Sequence, residues 1–369
     1  MSIGVLAMKK RVFVVGSGSI GTGVIRMLLE IKDKYDLDIF FTKKNPIPDC
    51  APHVNALVNK GACFTPYQES REKFRDLGID TTDTLEELLP NVHVIIDCTE
   101  KGVGLVMKRN FYEKLPKSIG ILGQGSEDGF GVPYVYYLAD DYLTLKRREG
   151  QNFVQVKSCN TTAISALIYS LCLKNNLADP GDFLNGRISL LRRDADVGQK
   201  KGAIRAPKIS KQNPEDQPFG THQAKDAYNL FKEVMSIELD IRSKALKLNS
   251  PFMHVVDFNF TFASRVVYED ILYHLGVYPL VALTDKESTD EIFGFGRDNG
   301  FIGHLFNQVI VPSVGIEVYG NELSGWAFTP QDGNSILSSV AAALSFIYPD
   351  NYLEIMKHFL RPPYIFTTV

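Results

Sequence analysis

The chain is poor in cysteine, with five in 369 residues: Cys50, Cys63, Cys98, Cys159 and Cys172. Their number is odd, their spacing is scattered and no C-x-x-C occurs. That excludes a disulfide scaffold and a four-cysteine zinc site, and it fits a reducing cytoplasm. The seven histidines show no H-x-x-x-H spacing, so no structural metal is expected. Basic excess is also missing: 40 Lys and Arg stand against 43 Asp and Glu, a formal net charge of −3. A general nucleic-acid binder is excluded on that ground. No apolar run reaches the ~18 residues of a membrane span. The opening MSIGVLAMKKR puts its basic group after too short an apolar stretch for a signal peptide. A cytoplasmic protein with no membrane partner is expected.

What is present is an ordinary globular balance, 44% apolar and 22% charged, in a length that suggests two domains. Short apolar strands alternate with helical segments through the first half. Strands are expected at Arg11–Val15, Leu37–Thr42, Val92–Asp97, Ser118–Gly123 and Asn152–Lys157. A helix follows the first strand over Ile20–Lys32, and RNFYEKL reads as another. Such alternation implies a parallel, doubly wound α/β sheet. After Cys159 the texture changes to longer alternating segments, GRISLLRRDA, IELDIRSKALKLN and FMHVVDFNFTF, which suggest an α+β domain with a mixed or antiparallel sheet. Residues 198–219 read as an extended loop, and Asn334–Ile347 as an apolar helix followed by NYLEIMKHFL. The expected division is a nucleotide-binding domain over 1–158, completed by helices in 334–369, and a second domain over 159–333.

The stretch VVGSGSIGTGV carries G-x-G-x-x-G as Gly16, Ser17, Gly18, Ser19, Ile20 and Gly21. It follows a strand and opens a helix, the context a dinucleotide site requires. Such a turn lets a pyrophosphate approach the helix N-terminus. The second strand ends in Thr42, Lys43 and Lys44 rather than an acidic residue, which favours NADP, or use of both NADP and NAD. Solvated lysines are the plain alternative. Two further strands end in DCTEKGVG and GQGSEDG, placing Thr99, Gly123 and Gln124 where ligands bind in this architecture. Cys98 there reads as a small packed residue.

KSCNTTA, Lys157 to Ala163, sits between a strand and an apolar helix. A cysteine on that turn faces backbone N–H groups and the positive end of the helix dipole, which favours a thiolate. The bland reading is an N-cap with an incidental cysteine. Behind a nicotinamide domain, such a cysteine suggests aldehyde oxidation through a thiohemiacetal and a thioester. His222 and His254 are the candidate bases. Arg192 and Arg193 at a strand end suit a bound phosphate, or else pair with Asp194 and Asp196. Lys200 and Lys201 add field, or are solvated loop charges.

Taken in order, these residues resemble the archaeal-type (type II) phosphorylating glyceraldehyde-3-phosphate dehydrogenases. The family's S-C-N-T-T-G turn is matched by Ser158–Ala163, its V-R-R-x-A-D by Leu191–Asp196 and its K-K-G-P-I loop by Lys200–Ile204. P-S-H-H-G-P-D is matched loosely by Phe219–Asp226, T-T-L-M-H by Ser250–His254, and D-A-T-x-x-G-I-G by Asp97–Gly104. The likeness spans about Arg11 to Ile347. It implies Cys159 as nucleophile, His254 as acid/base and Asn160 at the oxyanion. It implies Ser158, Thr161, Arg192, Arg193 and His222 toward substrate phosphate and inorganic phosphate. It also implies a homotetramer using NADP or NAD on a small-molecule substrate. Ala163, Pro251, Phe252 and Gln223 depart from the family pattern, which puts the identity of the aldehyde in doubt more than the reaction type. Two alternatives stay open: the same cysteine chemistry on another phosphorylated or carboxylated aldehyde, as in semialdehyde dehydrogenases, and a nucleotide-binding homologue without catalysis.

Overall fold

A computed structural model describes residues 9–125, 127–173, 182–194, 204–250, 252–330 and 332–369. The chain divides into two compact units. One comprises residues up to Val132 with Asp141–Val156 and Ile336–Leu353, and the other Pro133–Asp140, Lys157–Ser335 and Glu354–Val369.

The first sheet has strands β1 (Lys10–Val15), β2 (Leu37–Thr42), β3 (Cys63–Phe64), β4 (Val94–Asp97), β5 (Gly120–Gln124), β6 (Val132–Tyr134) and β7 (Phe153–Val156). Among the described residues they form one seven-stranded sheet in the order β3-β2-β1-β4-β5-β7-β6. The pairs β1–β2, β1–β4, β4–β5 and β5–β7 are parallel. The order reverses between β1 and β4, so their carboxyl ends flank the crevice where this architecture binds ligands. Phe13, Ile95, Ile121 and Tyr112 share one core cluster with Phe130. The strands are apolar at almost every position because helices cover both faces of a parallel sheet. RNFYEKL is not one helix. The helix runs Val103–Asn110, one turn earlier, started by Gly102 in the left-handed region at φ +87.

The C-terminal apolar helix, Gly333–Ile347, is seated on the first sheet through two glycines. A Cβ on Gly23 would stand 2.4 Å from Ile336, and one on Gly120 would stand 2.4 Å from the Phe346 ring.

The second unit has β8 (Phe183–Arg192), β9 (Lys208–Ile209), β10 (Ile241–Lys247), β11 (His254–Phe262), β12 (Val281–Thr284), β13 (Val309–Pro312), β14 (Ile316–Tyr319) and β15 (Glu322–Thr329). The sheet order is β12-β13-β15-β11-β8-β10-β9, with β14 on β15. It is mixed: β10 runs parallel to β8, while β11 is antiparallel to both β8 and β15. Side chains alternate between faces. Ile188 and Leu190 on β8 and Val256, Phe258 and Phe260 on β11 are buried on one face, while Arg187 and Asn259 are exposed on the other. The helices Cys159–Ile168 and His222–Met235 pack against each other; the first also touches β13 and β15, and the second β10.

Candidate active site

The glycine turn of the first unit has the geometry its spacing requires. Gly16 is left-handed at φ +94, where a side chain is strained. A Cβ on Gly21 would lie 2.0 Å from the Gly16 carbonyl oxygen, so helix and turn close only on glycine. Gly18 differs: it caps the helix Ser19–Ile31, and a Cβ there would meet nothing within 4 Å. That open space faces the helix N-terminus, as a pyrophosphate would need. A cleft of about 570 Å³ opens here, lined among others by Gly16, Ser17, Gly18, Lys43, Lys44 and Thr99. Ser17 Oγ and Thr42 Oγ1 are buried without a hydrogen-bond partner. Two orphaned hydroxyls beside two lysines fit the ribose and phosphate of a dinucleotide.

Asp97, at the end of β4, is buried and ties the neighbouring turn together. Its carboxylate accepts from the Thr99 N–H at 2.9 Å and from the Tyr112 hydroxyl at 2.7 Å. Burial pushes the Asp97 pKa up, against the pull of those bonds. Burial also pushes the Cys98 thiol well up, with the Asp97 charge adding, so Cys98 stays protonated. Gly123 and Gln124 are held by packing. A Cβ on Gly123 would stand 2.6 Å from the Phe130 ring, and the Gln124 amide pairs with Ser339 at 2.9 and 3.1 Å. Neither is among the described residues that line the cleft. His53 does not stand out in the sequence, yet it bonds the Ser17 carbonyl at 3.0 Å, with Lys43 and Arg26 near enough to lower its pKa after burial.

In the second unit Ser158 caps the helix that begins at Cys159. Its backbone is extended, its Oγ meets Thr161 Oγ1 at 2.9 Å, and it accepts weakly from the Thr161 N–H at 3.4 Å. The cap leaves Cys159 at the first helical position, partly exposed, with the N–H groups of the first turn beside it. Thr161 and Ser158 thus spend their hydroxyls on each other. Asn160 Oδ1 and Thr162 Oγ1 are buried without partners. Two anchors fix the turn. Asn334 Nδ2 donates to the Cys159 carbonyl at 3.0 Å, and Lys157 pairs with Asp226 at 3.2 Å, both side chains buried. His222 opens the helix that carries Asp226, four residues earlier and so on the same helix face.

His254 begins β11 and is buried. The register pairs it with Thr329 of β15, five residues before Asn334, so the base candidate and the cysteine anchor share one strand end. Its Nδ1 accepts from the Arg193 backbone N–H at 3.0 Å. Burial and the charges of Arg193, Arg192 and Lys247 hold its pKa well below the ordinary value of 6.5. A neutral ring accepting at Nδ1 carries its proton on Nε2 and is set to donate there. The Arg193 guanidinium is buried and meets Asp332 at 2.8 Å, so this arginine anchors His254 and its own strand end. Arg192 is partly exposed, and its buried Nε has no partner. Asp194, read as an ion-pair partner, accepts from the Ile204 N–H at 2.7 Å. Asp196, Lys200, Lys201 and Pro251 lie outside the described residues.

Comparison with known proteins agrees with the resemblance. Over 323 residues the chain is 28% identical to a glyceraldehyde-3-phosphate dehydrogenase of Archaeoglobus fulgidus, covering 86% of each chain. It is 29% identical to that of Sulfolobus acidocaldarius over 85% of each chain. It is 25% identical to that of Methanobacterium bryantii over 93% of this chain and 95% of that one. The chain is related to the archaeal glyceraldehyde-3-phosphate dehydrogenases. No family model matches it. Asn334, Asp332, Thr329 and Lys247 escape a reading of the sequence, because nothing local ties them to Cys159 or His254.

Proposed function

We propose that this chain is a phosphorylating glyceraldehyde-3-phosphate dehydrogenase, converting glyceraldehyde 3-phosphate and inorganic phosphate to 1,3-bisphosphoglycerate, reversibly, with NADP or NAD. The observation that supports it best is the cysteine at the first position of a buried helix, anchored by Asn334 from the strand end opposite His254. The names of the relatives support the same reaction.

In this reading the dinucleotide is held by Gly16, Gly18 and the N–H groups of Ser19–Gly21, with Lys43 and Lys44 toward a 2′-phosphate. When bound, the nicotinamide accepts the hydride that leaves the substrate carbon. The rest is the work of the chain. The helix start stabilises the Cys159 thiolate, whose sulfur adds to the aldehyde carbon while the carbonyl electron pair moves onto oxygen. His254 hydrogen-bonds that oxygen through its Nε2–H, holding the negative charge until the carbonyl re-forms as the hydride leaves and the thioester is made. The helix N–H groups and Asn160 face the oxyanion; losing one such donor costs ~2.7–4 kcal/mol of barrier. An oxygen of inorganic phosphate then attacks the thioester carbon, the C–S bond breaks and the thiolate is restored. Asp332 and Arg193 keep His254 in register, and a cytoplasmic homotetramer is the expected form.

The test is intact mass after mixing protein, coenzyme and glyceraldehyde 3-phosphate without inorganic phosphate. The expected result is one acyl adduct, on Cys159, removed by added phosphate. An unmodified Cys159 with reduced coenzyme formed would overturn the covalent route.

A further inference from the structure

Four residues lie in one row across the second sheet. Lys208 of β9 pairs in register with Lys247 of β10, and Lys247 with Arg192 of β8. Val255 of β11 pairs with Leu191 of β8, which places His254 beside Arg192. Cross-strand partners present their side chains to the same face. For Arg192 and Lys247 it is the face of Ile188, Leu190, Ile241 and Ser243, the side on which the Cys159 helix and its neighbour pack.

Three cations therefore lead away from His254 at steps of about 4.8 Å per strand. Among the described residues no carboxylate forms an ion pair with Arg192, Lys247 or Lys208. Among the described residues Lys247 Nζ makes one long bond, to the Asp194 carbonyl at 3.3 Å, and Arg192 Nε is buried with no acceptor. Arg193, the other cation that the motif supplies, is occupied by Asp332. A partly buried guanidinium whose Nε has no acceptor, beside a partly buried ammonium, is costly unless an anion completes the pair.

The geometry points to Lys247 as the second cation of the anion site, beside Arg192, holding the phosphate of a phosphomonoester aldehyde whose carbonyl lies toward His254. Lys208, exposed at the end of the row, adds attraction rather than contact. This rests on the function proposed above, and it adds Lys247 to the residues that the family resemblance implies toward phosphate, Ser158, Thr161, Arg192, Arg193 and His222. It makes Lys247 a specificity residue: it acts on the phosphorylated substrate and leaves the chemistry at Cys159 untouched.

The experiment compares the full-length protein with Lys247→Met, Lys247→Arg and Lys208→Gln, using glyceraldehyde 3-phosphate and unphosphorylated glyceraldehyde. Lys247→Met should raise KM for the phosphorylated aldehyde about tenfold or more, the effect of one charge-assisted contact, with little change in kcat. Assayed at pH 8, where His254 is neutral with or without the Lys247 charge, its kcat/KM for glyceraldehyde should stay unchanged, Lys247→Arg should restore most of the loss, and Lys208→Gln should act weakly and only at low salt. Equal losses on both aldehydes, or none, would overturn the assignment. A second readout needs no turnover: inorganic phosphate should protect Cys159 from iodoacetamide, with half-protection shifted about tenfold upward in Lys247→Met. Wild-type protein that is inactive yet shows that shift keeps the anion site and rejects the dehydrogenase. An active enzyme with no shift and no change in KM does the reverse.

Discussion

The Arg193 backbone N–H donates to Nδ1 of His254, which sets the tautomer of the ring from the strand end. The surrounding cations and burial keep that ring neutral well below pH 6.5. The acid limb of kcat/KM belonging to His254 should therefore lie below the usual histidine range. A limb near 6.5 that disappears in His254→Gln would contradict this.

The same group affects stability with a definite sign. As pH falls through 6.5, His254 in the unfolded chain takes up a proton that the folded chain refuses. The unfolded state then binds more protons, so stability falls as pH drops in the window below 6.5. Urea unfolding at successive pH values should show this slope, and His254→Gln should flatten it.

Removing Asp332 should be severe. Its carboxylate is the partner of a nearly buried guanidinium, and breaking such a pair typically costs ~3–5 kcal/mol. Asp332 is also left-handed at φ +51, which Asn tolerates better than Ala. Thermal melting should rank wild type above Asp332→Asn, and that above Asp332→Ala. Activity should fall in both variants, because Arg193 also fixes His254.

Gly21→Ala and Gly18→Ala should separate folding from binding. The first drives a Cβ to 2.0 Å from the Gly16 carbonyl, so the turn must open and melting temperature should drop. The second meets nothing in the protein. Gly18→Ala should melt like wild type and bind coenzyme weakly, by fluorescence titration. Unchanged binding would move the pyrophosphate elsewhere.

How much of this was legible in the sequence depends on distance along the chain. The glycine turn and the cysteine turn are local, each with its special residues within a few positions, and each lies where expected, between a strand and a helix. RNFYEKL misleads because a left-handed Gly102 starts the helix early, which its apolar spacing does not reveal. Asn334 bonds a carbonyl 175 residues away, and Lys247 reaches Arg192 only through strand register. Such partners are fixed by tertiary packing in the first case and by sheet pairing in the second, which no local pattern encodes. Arg193 was legible as a cation; that Asp332 claims its guanidinium was not.

Lys43 and Lys44 line the nucleotide cleft, while Thr42 ends β2 with a buried, unpartnered hydroxyl. Replacing both lysines by Ala should raise KM for NADP about tenfold or more and leave that for NAD nearly unchanged. Equal effects on both coenzymes would remove the lysines from the 2′-phosphate.

The central claim is tested most directly by coenzyme reduction, followed by absorbance. Purified protein is given glyceraldehyde 3-phosphate with NADP or NAD, with and without inorganic phosphate, beside Cys159→Ser. The account predicts reduction that requires phosphate for sustained turnover and is abolished in Cys159→Ser. Turnover indifferent to phosphate, or surviving in Cys159→Ser, would contradict it.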